Sequence, residues 1–177
     1  MSNHPDHPQA CPAWLTAWRK DIDAATAALL AGFEDRFGYP PGSNAIDAPG
    51  PHDLAAAARL AEIPTVNALL PQFYRHIGQV VLEDIGNAYF IHPASHVLRD
   101  LTQSAPIPFD QSSVGALFAT DGGGIHFAIA TDGIIYRSAA ASRDSEFHRV
   151  AHDLPDFLDQ LRRAVIRFIE TGQPGDL

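Results

Sequence analysis

The chain has 177 residues, of which 46% are hydrophobic and 19% charged. That is a globular balance, and the length suits one domain of about 100–200 residues that can bury about 70% of its unfolded surface without disulfides. Twelve basic against 21 acidic residues leave a formal charge of -9, which argues against a nucleic-acid binder, whose surface must neutralise phosphates, and suits a basic partner. The single cysteine, Cys11, excludes an internal disulfide framework and a multi-cysteine zinc ribbon. No apolar run reaches the ~20 residues of a membrane span. Residues 1–8 have neither the basic nor the apolar region of a secretory leader, so a cytoplasmic protein is expected.

Residues 1–12 are polar, carry Pro5, Pro8 and Pro12, and read as a disordered or extended lead. Trp14, Trp18, Ile22, Ala25, Leu29, Phe33 and Phe37 recur at three-to-four spacing, which predicts one amphipathic helix over 13–37, closed by Gly38 and Pro40-Pro41. Its aromatic stripe needs a large apolar surface to cover it, either the body of the domain or a partner. Residues 38–52 are rich in Pro and Gly without a period and read as a linker or surface loop. Asp53 can cap a short helix from Leu54 to Glu62, which Pro64 stops. Helix restarts at Leu70-Pro71, with Leu69, Leu70, Phe73, Tyr74 and Ile77 on one face.

The middle of the chain reads as β structure. Strands over 79–83 and 87–91 flank the turn Asp84-Ile85-Gly86, and Pro93 opens a short helix over 94–101. Residues 102–112 read as loop. Three strand signals follow over 113–120, 125–131 and 134–138, joined by Asp121-Gly122-Gly123-Gly124 and Thr131-Asp132-Gly133. Turns this short demand an antiparallel meander. Asp153 caps the last helix, Pro155 suits its first turn, and Leu154, Phe157, Leu158, Leu161, Val165, Phe168 and Ile169 form its buried stripe up to Gly172. The fold class expected is α+β, a mostly antiparallel sheet of about five or six strands with helices packed on one face.

Motifs of catalysis are sparse. His92 and His96 lie four apart, as do His148 and His152, but neither pair carries the glutamate of a zinc-protease helix. A metal enzyme drawing on His92, His96, His126, His148 and His152 is the minor reading; no metal ligand set and no cofactor follow from spacing alone. The triglycine turn leads into a strand with no lysine near it, unlike a phosphate-binding loop. Cys11 sits in the polar lead, a poor setting for an activated thiolate.

The order of elements resembles the SUKH superfamily, the Smi/Knr-like domains. The points of likeness are Leu70-Pro71-Gln72-Phe73-Tyr74, the turn at Gly78, the hairpin from Val80-Val81-Leu82 to Tyr89-Phe90-Ile91, and Pro93-Ala94-Ser95-His96-Val97-Leu98. They continue with the strand and Gly-rich turn from Val114 to Gly124, Asp132-Gly133-Ile134-Ile135-Tyr136, and the closing strand and helix from Phe147 to Leu161. The segment after Tyr74 is shorter than the family's, and helix 13–37 lies outside its pattern. The resemblance divides the chain into helix and linker over 13–52 and a SUKH-like domain over 53–177.

The resemblance implies binding rather than catalysis. Many bacterial members resemble immunity proteins that neutralise polymorphic toxins, often nucleases or deaminases; others are regulatory or scaffold adaptors. The family has no shared catalytic residues to carry over. A non-catalytic immunity protein that occludes a basic toxin is therefore the expectation. Asp121, Asp132, Asp144 and Glu146, in the acid-rich loops, are the candidate partner-binding residues, because a basic nuclease would be met by negative charge.

Overall fold

A computed structural model describes residues 11–109, 113–175 and 177. Its elements are α1 (Pro12–Leu30), α2 (Phe33–Phe37), β1 (Asn44–Asp47), α3 (Pro51–Leu60), α4 (Leu69–Tyr74), β2 (Gln79–Leu82), β3 (Tyr89–Ile91), α5 (Ala94–Gln103), β4 (Ile107–Pro108), β5 (Val114–Asp121), β6 (His126–Ala130), β7 (Ile135–Ser138), β8 (Phe147–Ala151) and α6 (Leu154–Thr171). The class is α+β, as expected. All strand pairs are antiparallel, in the order β1-β2-β3-β5-β6-β7-β8, with β4 paired to the start of β5.

The sheet has eight strands rather than about five or six. Of the three that patterning did not show, β8 was given only by the resemblance, while β1 and β4 lie in segments that read as loops. β1 forms because β2 and its following turn hold it. Asn44 to Asp47 pair with Leu82 to Gln79, Glu83 Oε2 accepts from the Ser43 N–H at 2.7 Å, and Asp84 Oδ2 accepts from the Gly42 N–H at 2.8 Å and Asn44 Nδ2 at 2.6 Å. Residues 38–52 are thus not simply a linker.

The helix expected over 13–37 breaks at Gly32, whose φ of 81° belongs to the left-handed region open to glycine. The apolar stripe crosses the break, since both Leu29 and Phe33 are buried. α1 belongs to the body of the protein. Trp18 is buried, its Nε1 donates to the Leu158 carbonyl at 2.7 Å, and Leu15, Trp18, Ile22 and Leu29 share one core cluster with α6 and the sheet. Asp53 does not cap α3, which starts at Pro51; it accepts from the Ser95 N–H at 3.3 Å and so serves the first turn of α5. α6 follows its sequence signals. Asp153 accepts from the Asp156 N–H at 2.8 Å, and Gly172 ends the helix with φ 71°. Of the lead, residues 1–10 lie outside the described residues, while Pro12 is the first residue of α1.

Helical cover is divided between the two faces of the sheet. α1 meets β1 and α6 meets β8, so together they span one face. Phe118 and Phe127 point to that face, with ring centroids 5.3 and 5.2 Å from Phe157 of α6. A register shift between Leu117 and Ala119 pairs Leu117 with Ala128 and Ala119 with Phe127. Such a bulge turns consecutive residues to one side, and Phe118 and Ala119 are both buried. The row Phe90–Thr120–His126 faces the other way, toward α5. No helix among the described residues is long and apolar enough to cross a membrane.

Candidate functional site

The face under α5 holds a cluster of polar side chains. His92 follows β3, His96 and Asp100 stand on successive turns of α5, and His126 opens β6. With Leu117, Thr120 and Arg143 they line a cavity of about 310 Å³. The rings of His92 and His96 lie 4.6 Å apart at 33°. His92 Nε2 is 3.3 Å from Thr120 Oγ1, and the Tyr74 hydroxyl donates to the His92 carbonyl at 2.7 Å, fixing the residue from its backbone side. Burial holds the Tyr74 hydroxyl protonated by raising its pKa, with the charge of Asp53 adding to the effect.

Burial, and charge after it, act against protonation of His92 and His126. Burial, then the neighbouring His96 and His126, push the His92 pKa down from 6.5 to about 4, with Asp100 opposing them. Burial and then Arg143 lower His126. Arg143 reaches over from the β7–β8 turn to Asp100, with Nη1 at 2.7 and 2.8 Å from its two carboxylate oxygens, and Nη2 donates to the Ala105 carbonyl at 3.0 Å. The cluster thus sets two imidazoles with lowered pKa, His92 and His126, beside one closed ion pair, Arg143–Asp100. Three of the five histidines of the metal reading meet here, and His148 and His152 do not line the cavity. No group of three or more His, Cys, Asp or Glu among the described residues is placed to hold a metal ion.

The four acidic candidates do not form one surface. Asp121 is buried, and its Oδ1 accepts from the N–H groups of Gly123 and Ile125 at 2.9 Å each. The carboxylate therefore closes the triglycine turn. Two amides of that turn are thereby occupied, against its reading as a phosphate cradle. Asp132 is exposed, but it lies in the β6–β7 turn, at the opposite end of the sheet from Asp121, because successive hairpins of a meander turn at alternate ends. Its Oδ1 accepts from the Ile134 N–H at 3.1 Å. Asp144 and Glu146 are exposed together on the β7–β8 turn, which returns to the Asp121 end: a Cβ on Gly124 would sit 3.1 Å from the Ala141 Cβ.

Arg143 was not legible as a site residue, and neither were Arg59 and Arg99. Arg143 stands between two candidate acids in sequence, yet its partner is Asp100, 43 residues away. Arg59 and Arg99 come to one groove only because α3 and α5 pack side by side. Compared with known proteins, the chain matches no family model, and no curated protein is significantly similar to it.

Proposed function

We propose that this chain is a non-catalytic, SUKH-like protein-binding domain, a cytoplasmic immunity protein that occludes a basic bacterial toxin. The observation that carries the reading is the β7–β8 turn, an acidic projection held in one shape. The Ala139 N–H donates to the Glu146 carbonyl at 2.8 Å, and the Asp144 N–H donates to Ser142 Oγ at 3.2 Å. Between them Arg143 ties the turn to Asp100 and Ala105. Asp144 and Glu146 are exposed on this frame, with Glu146 Oε2 3.9 Å from His148 Nε2. A surface fixed before it meets its partner loses less conformational freedom on binding. The formal charge of -9 supplies a long-range field that speeds encounter with a cationic protein. In this reading the toxin is a nuclease or deaminase whose basic substrate channel receives the turn, and inhibition is steric.

Affinity purification with mass spectrometry of the co-eluting protein identifies the partner. The expected catch is a single basic protein in 1:1 complex, whose toxicity the chain silences. Replacing both Asp144→Lys and Glu146→Lys is then expected to slow association by roughly tenfold at low salt, and by less at high salt. An acidic partner, or association at low salt indifferent to the double reversal, would overturn the reading.

A further inference from the structure

On the other side of α5 the surface opens into a groove of about 610 Å³, walled by α3 and α5. Ala55, Ala56, Pro93 and Leu98 give it an apolar lining. Arg59 from α3 and Arg99 from α5 add two exposed cations, with His52 and His96 beside them. Among the described residues that line it there is no carboxylate, in a chain of formal charge -9. Four other arginines, Arg19, Arg143, Arg162 and Arg163, each hold an aspartate. Neither Arg59 nor Arg99 has a carboxylate partner among the described residues.

Each wall is a helix of ten residues, about 15 Å long, which matches two to three turns of a helix laid in the groove. We infer that this groove docks an acidic amphipathic helix of a partner protein. Its apolar face would cover Ala55, Ala56 and Leu98, and its carboxylates would meet Arg59 and Arg99, one on each wall. Charge complementarity selects the sign of this partner, and the apolar lining between the cations selects an amphipathic segment over a merely acidic tail. The groove and the histidine cavity share His96, but otherwise the groove uses Ser95, Leu98, Arg99 and Thr102 of α5 and the cavity uses Asp100. The inference goes beyond the immunity reading, since this second partner carries the charge opposite to the toxin's.

The test uses the full chain and a fluorescein-labelled peptide of about sixteen residues, with Leu at i, i+3, i+4 and i+7 and Glu on the other face. Saturable binding is expected by fluorescence anisotropy, weakened roughly tenfold or more by Arg59→Glu with Arg99→Glu. The milder pair Arg59→Gln with Arg99→Gln should fall between, with thermal melting by circular dichroism confirming that each variant folds. Asp144→Asn with Glu146→Gln should not weaken peptide binding, which separates this groove from the acidic turn. No saturable binding overturns the inference. So does equal binding of a Lys-for-Glu peptide, of a scrambled peptide of the same composition, or of the wild-type peptide to the charge-reversed chain. Binding of dodecanoate in place of the peptide would also overturn it, by making the groove a site for small anionic amphiphiles.

Discussion

On the face covered by α1 and α6, Phe118 and Phe127 meet Phe157 ring to ring, and Trp18 is sealed behind them. On the opposite face of the same strands, Thr120 and His126 meet His92, His96, Asp100 and Arg143 around an open cavity. The alternation of a strand makes both possible at once, and the bulge at Phe118 adds an extra large side chain to the dry side. The dry face is where burial stabilises the fold. The polar face pairs Thr120 with His92 and Arg143 with Asp100 and leaves room, which suits recognition better than stability.

The difference can be attacked from each side. The largest effect is expected on the dry face: Phe157→Ala should destabilise the protein by about 3–5 kcal/mol, read from urea unfolding, because the ring packs on two others and the space cannot refill. A loss near 1 kcal/mol would mean that the face is loosely packed, and would break the contrast. On the polar face, Arg143→Ala should cost only about 1 kcal/mol, since the Arg143–Asp100 pair is partly open to water. Its larger signature should be local, as faster amide exchange across 139–146, where the turn loses its tie to Asp100 and Ala105. Protected amides in that variant would show that the backbone alone shapes the turn.

The smallest effect at neutral pH, and the sharpest test, concerns His92. Its folded pKa of about 4 lies below the ordinary 6.5. Between these values the unfolded chain takes up a proton that the folded chain refuses. Stability from this group is therefore complete above pH 6.5, falls as the pH drops toward 4, and falls no further below it. His92→Gln should leave the urea midpoint at neutral pH little changed and flatten the slope in that window. An unchanged slope would assign the acid sensitivity to other groups.

How far the sequence reaches differs between these regions. α6 was legible in full because its cap, stripe and stop are local: Asp153, the Leu and Phe repeats, and Gly172 act within one helix. β1 was not, because its four residues bury only Ile46 and owe their conformation to Glu83 and Asp84, some forty residues on. The break at Gly32 was hidden because the apolar spacing runs straight across it. For the polar cluster, the i, i+4 pair His92 and His96 was visible, but the approach of His126 depends on the pairings Ile91–Ala119 and Thr120–His126. Register of that kind has no signature in the spacing of histidines. The acidic candidates show the same limit. Composition marked four loop acids, and only topology separates the end that carries Asp144 and Glu146 from the end that carries Asp132.

The bond from Trp18 Nε1 to the Leu158 carbonyl spans 140 residues. During synthesis at about 5–20 residues per second, α1 leaves the ribosome roughly 7 to 28 seconds before the helix that covers it. Throughout that interval Leu15, Trp18, Ile22 and Leu29 form an exposed apolar stripe on a nascent helix. α1 can be completed only once α6 has been made, some 140 residues later, so its packing waits on the rest of the fold. Until then that stripe is the surface a chaperone would hold.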